Sequence, residues 1–149
     1  MAMSNTFPSK RTIIKETVPS VYLTEERSIR IYLPPGYDEN KQYPTIYCQD
    51  GEQFFNFGRI ATTATSLIHE NQLEPFIIVG IDVDISRRTE EYSPEGQLFQ
   101  HYCSFVAMEL VTFVENRVSS NSDSASRLLA GDSLGATVSL HLALDYPLL

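Results

Sequence analysis

Residues 75–82 read Pro-Phe-Ile-Ile-Val-Gly-Ile-Asp, a nearly unbroken apolar run. A strand with one wet face alternates apolar and polar side chains, whereas a strand without polar positions must be covered on both faces. A layer of helices on each side of a sheet provides that cover, so this segment points to an α/β architecture. The rest of the chain agrees. Strands are expected at 12–18, 27–33 and 43–48; in the second, Ile29, Ile31 and Leu33 face one way and Ser28, Arg30 and Tyr32 the other. Helical periodicity follows at 59–71, where Ile60, Ala64, Leu67 and Ile68 share a face. It returns at 97–118 through Tyr102, Phe105, Val106, Leu110, Phe113 and Val114. A short apolar strand at 127–131 and a helix at 134–146, stopped by Pro147, complete the order β-β-β-α-β-α-β-α. That order predicts a mostly parallel sheet with an antiparallel N-terminal strand pair and helices on both faces. Ligand sites in such sheets lie beyond the carboxyl ends of the strands.

Two loops leave strands at that edge: Asp50-Gly51-Glu52, and Gly131-Asp132-Ser133-Leu134-Gly135. The second is G-x-S-x-G between an apolar strand and a helix, the pattern of a nucleophile elbow. A serine in so sharp a turn takes strained backbone dihedrals, and the residues two positions away must lack bulk. Gly131 and Gly135 meet that demand. The turn lifts the Ser133 hydroxyl clear of the sheet and leaves the Leu134 N–H, at the start of the helix, free to stabilise an oxyanion. The plainer alternative is a tight turn in which Ser133 caps the helix. The letters GDSL also occur as the signature of another serine-esterase family, but there the serine belongs to the first strand, with most of the domain after it.

Upstream segments add a family resemblance. Arg30-Ile-Tyr-Leu-Pro-Pro-Gly-Tyr37, Tyr43-Pro-Thr-Ile-Tyr-Cys-Gln-Asp-Gly-Glu52, Arg88-Thr-Glu-Glu-Tyr-Ser-Pro94 and Gly131-Asp-Ser-Leu-Gly135 occur in that order. Together they resemble the α/β-hydrolase family that includes esterase D and enterochelin-esterase-like hydrolases. One departure is Ala136, where relatives often carry a second glycine. The resemblance implies a serine carboxylic-ester hydrolase with Ser133 as the acyl-accepting nucleophile. It also implies an oxyanion hole made by the backbone N–H groups of Glu52 and Leu134, with the Glu52 carboxylate turned away. Taken alone, Asp50-Gly51 reads equally well as a plain turn. Asp50, Arg88, Glu91 and Tyr92 are candidates for the pocket wall, although the ordinary reading of 88–92 is a solvated charged loop. The substrate would be a small-molecule ester, and the chemistry needs neither cofactor nor metal.

A serine hydroxyl needs a neighbouring base, and in α/β-hydrolases the triad runs Ser, then Asp or Glu, then His. After Ser133 the sequence offers His141 and then Asp145, in the reverse order and on the elbow's own helix. At about 1.5 Å per residue, His141 sits ~12 Å along the axis from Ser133. His69 and His101 belong to the earlier helices. No triad assembles, so the expectation is a single incomplete domain over 1–149, the N-terminal portion of an α/β-hydrolase truncated after the elbow helix. Such a chain would be inactive or weak alone, and the 127–131 strand would be an open edge prone to self-association. The alternative is a non-catalytic, hydrolase-like binding module. A phosphate site at the 131–135 turn ranks last, since no lysine follows it and Asp132 repels anions.

Composition narrows the remaining classes. Eleven Lys and Arg against 19 Asp and Glu leave a net charge of −8, the wrong sign for a nucleic-acid partner. No basic amphipathic segment suits a membrane surface, and no apolar run spans a bilayer. The first twelve residues show no signal-peptide core, which gives a cytoplasmic expectation. Cys48 and Cys103 lie far apart in apolar segments, as buried free thiols do.

Overall fold

The structure, a computed structural model, describes residues 10–149; most of the start read above for targeting lies outside them. Five strands form one sheet: β1 (Thr12–Val18), β2 (Arg27–Leu33), β3 (Thr45–Cys48), β4 (Ile77–Ile81) and β5 (Arg127–Ala130). Their order across the sheet is β1-β2-β4-β3-β5. β2 runs antiparallel to both β1 and β4, while β3 runs parallel to both β4 and β5. One strand, β2, therefore opposes the direction of the other four. β5 pairs with β3 in register from Thr45↔Arg127 to Cys48↔Ala130, and its other side is the sheet edge.

The period of two in β4 divides two cores. Ile77, Val79 and Ile81 face one side, packed in a cluster with Tyr102, Phe105, Val106, Leu110, Val138 and Leu142. Ile78 faces the other side, with Tyr32, Cys48, Ala61 and Ala64. Every residue of β4 is buried, as a strand covered on both faces must be. The helices making those layers are α1 (Ile60–His69) on one face and α2 (Arg88–Tyr92), α3 (Phe99–Ser104), α4 (Val111–Arg117) and α5 (Leu134–Asp145) on the other. Both cysteines are free and buried. Among the described residues no helix is long and apolar enough to cross a membrane.

Two elements differ from the periodicity. The long helix at 97–118 is interrupted by a π-helical stretch, Phe105–Leu110, between α3 and α4. The wider turn advances the buried stripe, so Tyr102 and Cys103 before it, Phe105, Val106 and Leu110 within it, and Val111 and Val114 after it all face the core. The charged stretch at 88–92 is not a solvated loop. It is the helix α2, with Glu91 and Tyr92 wholly buried. Glu91 accepts two bonds from Arg27, at 3.0 and 2.7 Å, and so is removed from the pocket wall. A buried carboxylate is tolerated only with such a partner. Burial disfavours the Arg27 cation, but the bonds and charge of Glu91 outweigh it and hold the pKa above its usual value.

Candidate active site

Three residues turn the chain from β5 into α5. In that turn Ser133 has φ 58° and ψ −126°, a region that a residue with a Cβ enters only under strain. The side chain is exposed and makes no capping hydrogen bond to α5, so the cap alternative is not what the geometry shows. Gly131 permits the turn: a Cβ there would stand 2.3 Å from the carbonyl carbon and oxygen of Gly135. The first helical bonds run from Gly135 N–H to Asp132 C=O and from Ala136 N–H to Ser133 C=O, at 2.9 and 3.0 Å. The Leu134 N–H has no partner among the described residues. It lies at the positive end of the α5 dipole.

The loop after β3 is wedged between two glycines. A Cβ on Gly51 would meet the Gly80 carbonyl carbon at 2.5 Å, so this loop can cross β4 only with glycine at that point. On the other side, a Cβ on Gly135 would stand 3.2 Å from Asp50 Oδ2 and from Gln49 Cβ. The Gln49 N–H donates to Ala130 C=O at 2.9 Å. The segment carrying Glu52 thus rests against the elbow, as β3 rests against β5. Asp50 turns the chain with φ 51°, and its C=O receives the N–H groups of Gln53 and Phe54. Glu52 opens the next helical turn, and its side chain, 3.7 Å from Arg30, is more than half exposed.

Beside this loop Asp50, Arg88 and Tyr92, three of the candidates for the pocket wall, come together in a largely buried polar cluster. The Asp50 carboxylate receives Arg88 Nε and Nη2 at 2.8 and 2.7 Å. The Asp50 N–H donates to the Tyr92 hydroxyl at 3.1 Å. Arg88 lies 5.1 Å from the centre of the Tyr92 ring, and its bonds to Asp50 raise its pKa further. Tyr102 donates its hydroxyl to Gln49 Oε1; burial lifts the Tyr92 phenol to about 12 and that of Tyr102 well above its ordinary value. The polar roles of Arg27, Gln49 and Tyr102 had no local sequence signal, since their partners come from distant segments.

The histidines are elsewhere. His141 approaches Asp145 at 3.8 Å along α5 and meets Phe99 edge-on at 5.4 Å, and His69 and His101 are exposed at α1 and α3. None of them is hydrogen-bonded to Ser133. Among the described residues no group of three or more His, Cys, Asp or Glu side chains could hold a metal ion.

The family described as "Putative esterase" matches residues 20–149. This chain belongs to that esterase family. The chain is 38% identical to the uncharacterized protein YjcH of Bacillus subtilis over 141 residues, covering 94% of itself and 59% of that relative. It covers 52% of a second relative from the same organism, YbbA, so it spans little more than half the length of these relatives. Among solved structures it superposes on an IroE-like serine hydrolase from Shewanella oneidensis with a TM-score of 0.79 and 26% identity, covering 92% of itself and 48% of that chain. The enterobactin esterase FES of Shigella flexneri gives a TM-score of 0.80 at 23% identity, with 95% of this chain and 36% of the FES chain covered. The fold is that of the α/β-hydrolase esterases.

Proposed function

We propose that the esterase chain carries the acyl-accepting part of a serine carboxylic-ester hydrolase. The observation that supports this most directly is the strained Ser133 backbone beside an unpartnered Leu134 N–H. In this reading Ser133 Oγ attacks the carbonyl carbon of a small-molecule ester and gives its proton to a base. The Leu134 and Glu52 N–H groups hold the tetrahedral oxyanion. The alcohol then leaves with a proton, and water attacks the acyl-serine to release the acid and restore the hydroxyl. None of the three histidines is brought to Ser133, so the base has to come from polypeptide other than these residues. No cofactor enters these steps. The same lack of a nearby histidine favours a second reading, a non-catalytic binding module that keeps the elbow geometry.

A fluorophosphonate probe separates the two. Imidazole added to the buffer can stand in for the missing base. The esterase reading expects slow labelling at Ser133 that accelerates with imidazole and vanishes in Ser133→Ala. No label on the parent chain, or equal label on Ser133→Ala, would leave the binding-module reading.

A further inference from the structure

Negative charge is crowded where the proposed oxyanion would form. Asp50 and Glu52 flank one N–H donor, and Asp132 directly precedes Ser133. The exposed Glu52 carboxylate is turned toward Arg30. Asp50 cannot be screened by water in the same way: its side chain is 8% exposed, and Oδ2 packs against the first turn of α5 beside Gly135. An uncompensated carboxylate in so poorly solvated a place opposes a second negative charge strongly. Arg88 meets Asp50 with two parallel bonds and lies close enough to Asp132 for their charges to interact. The other nearby arginines are committed: Arg27 to Glu91, Arg87 to Glu25 at 2.5 Å, and Arg30 to Asn56 at 3.0 Å.

We infer that Arg88 is a positioning residue whose charge cancels that of Asp50 at the oxyanion site, so that the Leu134 and Glu52 donors act unopposed. This rests on the esterase reading above. Bidentate pairing also fixes the loop, so a purely geometric clamp is the rival account, and the two respond differently to substitution.

The rate of fluorophosphonate labelling at Ser133, measured in imidazole buffer, distinguishes them. Arg88→Gln should slow labelling at least tenfold. Arg88→Lys keeps the charge without the fork, and the double variant Asp50→Asn/Arg88→Gln removes both charges; each should label within about threefold of the parent. Slow labelling in both of these, or parental labelling by Arg88→Gln, overturns the inference. If Arg88→Gln does not fold by circular dichroism, Asp50→Asn alone carries the test. It should label at least as fast as the parent, and slower labelling overturns the inference. A parent chain that labels no better than Ser133→Ala instead overturns the esterase reading, and with it any such role for Arg88.

Discussion

Gly131 and Gly135 meet backbone to backbone, with 2.3 Å between the carbonyl of one and the place a Cβ on the other would occupy. Gly131→Ala must therefore push main chain aside, and should cost at least ~3 kcal/mol, the upper end of overpacking effects. At Gly135 the nearest atoms belong to the Asp50 and Gln49 side chains, and alanine gains helix propensity of about 1 kcal/mol. Gly135→Ala should accordingly lie within ~1 kcal/mol of the parent. Urea midpoints of the two variants should fall in that order; equal midpoints would contradict the close approach.

Ser133 holds a positive φ that glycine adopts without strain. Ser133→Gly should raise stability by about 1 kcal/mol, the relief of 1–3 kcal/mol of strain less the greater entropy of unfolded glycine. Ser133→Ala keeps the Cβ and should melt with the parent. A thermal melt in which both variants behave alike would show that the dihedral carries no strain.

Arg27→Met leaves the Glu91 carboxylate buried without its bidentate partner, a change worth roughly 3–5 kcal/mol. Arg27→Met/Glu91→Leu removes the stranded charge and should regain most of that loss. Chemical denaturation of the two variants and the parent measures the difference directly.

Burial pushes the Cys48 and Cys103 thiols and the Tyr92 phenol up to about 12. Each is raised above its unfolded value, so each contributes stability that is complete below the unfolded pKa. That contribution is lost as pH rises, from ~8.5 for the thiols and ~10 for the phenol toward about 12. The urea midpoint should hold steady to about pH 8 and then drop progressively to pH 11. A flat midpoint across that window would mean that these groups ionise in the fold. Both thiols should also resist a disulfide reagent at pH 8 until the chain unfolds.

The β5 edge lies in an apolar groove of about 720 Å³, lined by residues that include Leu128, Ala136, Leu140 and Ala143 but no Asp or Glu side chain. We propose that a second copy of this chain of net charge −8 can dock there without bringing acidic groups face to face. Sedimentation velocity should show association that rises with concentration and is weakened by Leu128→Lys. A monodisperse monomer at every concentration would refute this.

The features legible in the sequence were those whose cause is local. The apolar run at 75–82 could only be a doubly covered strand, and the glycines at 131 and 135 mark their turn without reference to the rest of the chain. What escaped notice depends on distant partners. Glu91 is charged in a charged segment, and its burial is decided by Arg27 on β2. The π-helical stretch at Phe105–Leu110 contains neither proline nor glycine to announce it; it exists because the sheet needs both halves of the stripe. Asp50 reads as a turn residue, and only Arg88, contributed by α2, makes it part of an electrostatic pair.

The adjacency of β3 and β5 also bears on when the site comes into being. Glu52 and Leu134 follow these two strands, with β4 and four helices between them along the chain. Their pairing from Thr45↔Arg127 to Cys48↔Ala130 is a non-local closure of the kind that forms slowly. During synthesis the loop after β3 emerges long before the elbow it will face. Neither donor can serve an oxyanion until that closure is made, so reactivity at Ser133 would report on completion of folding.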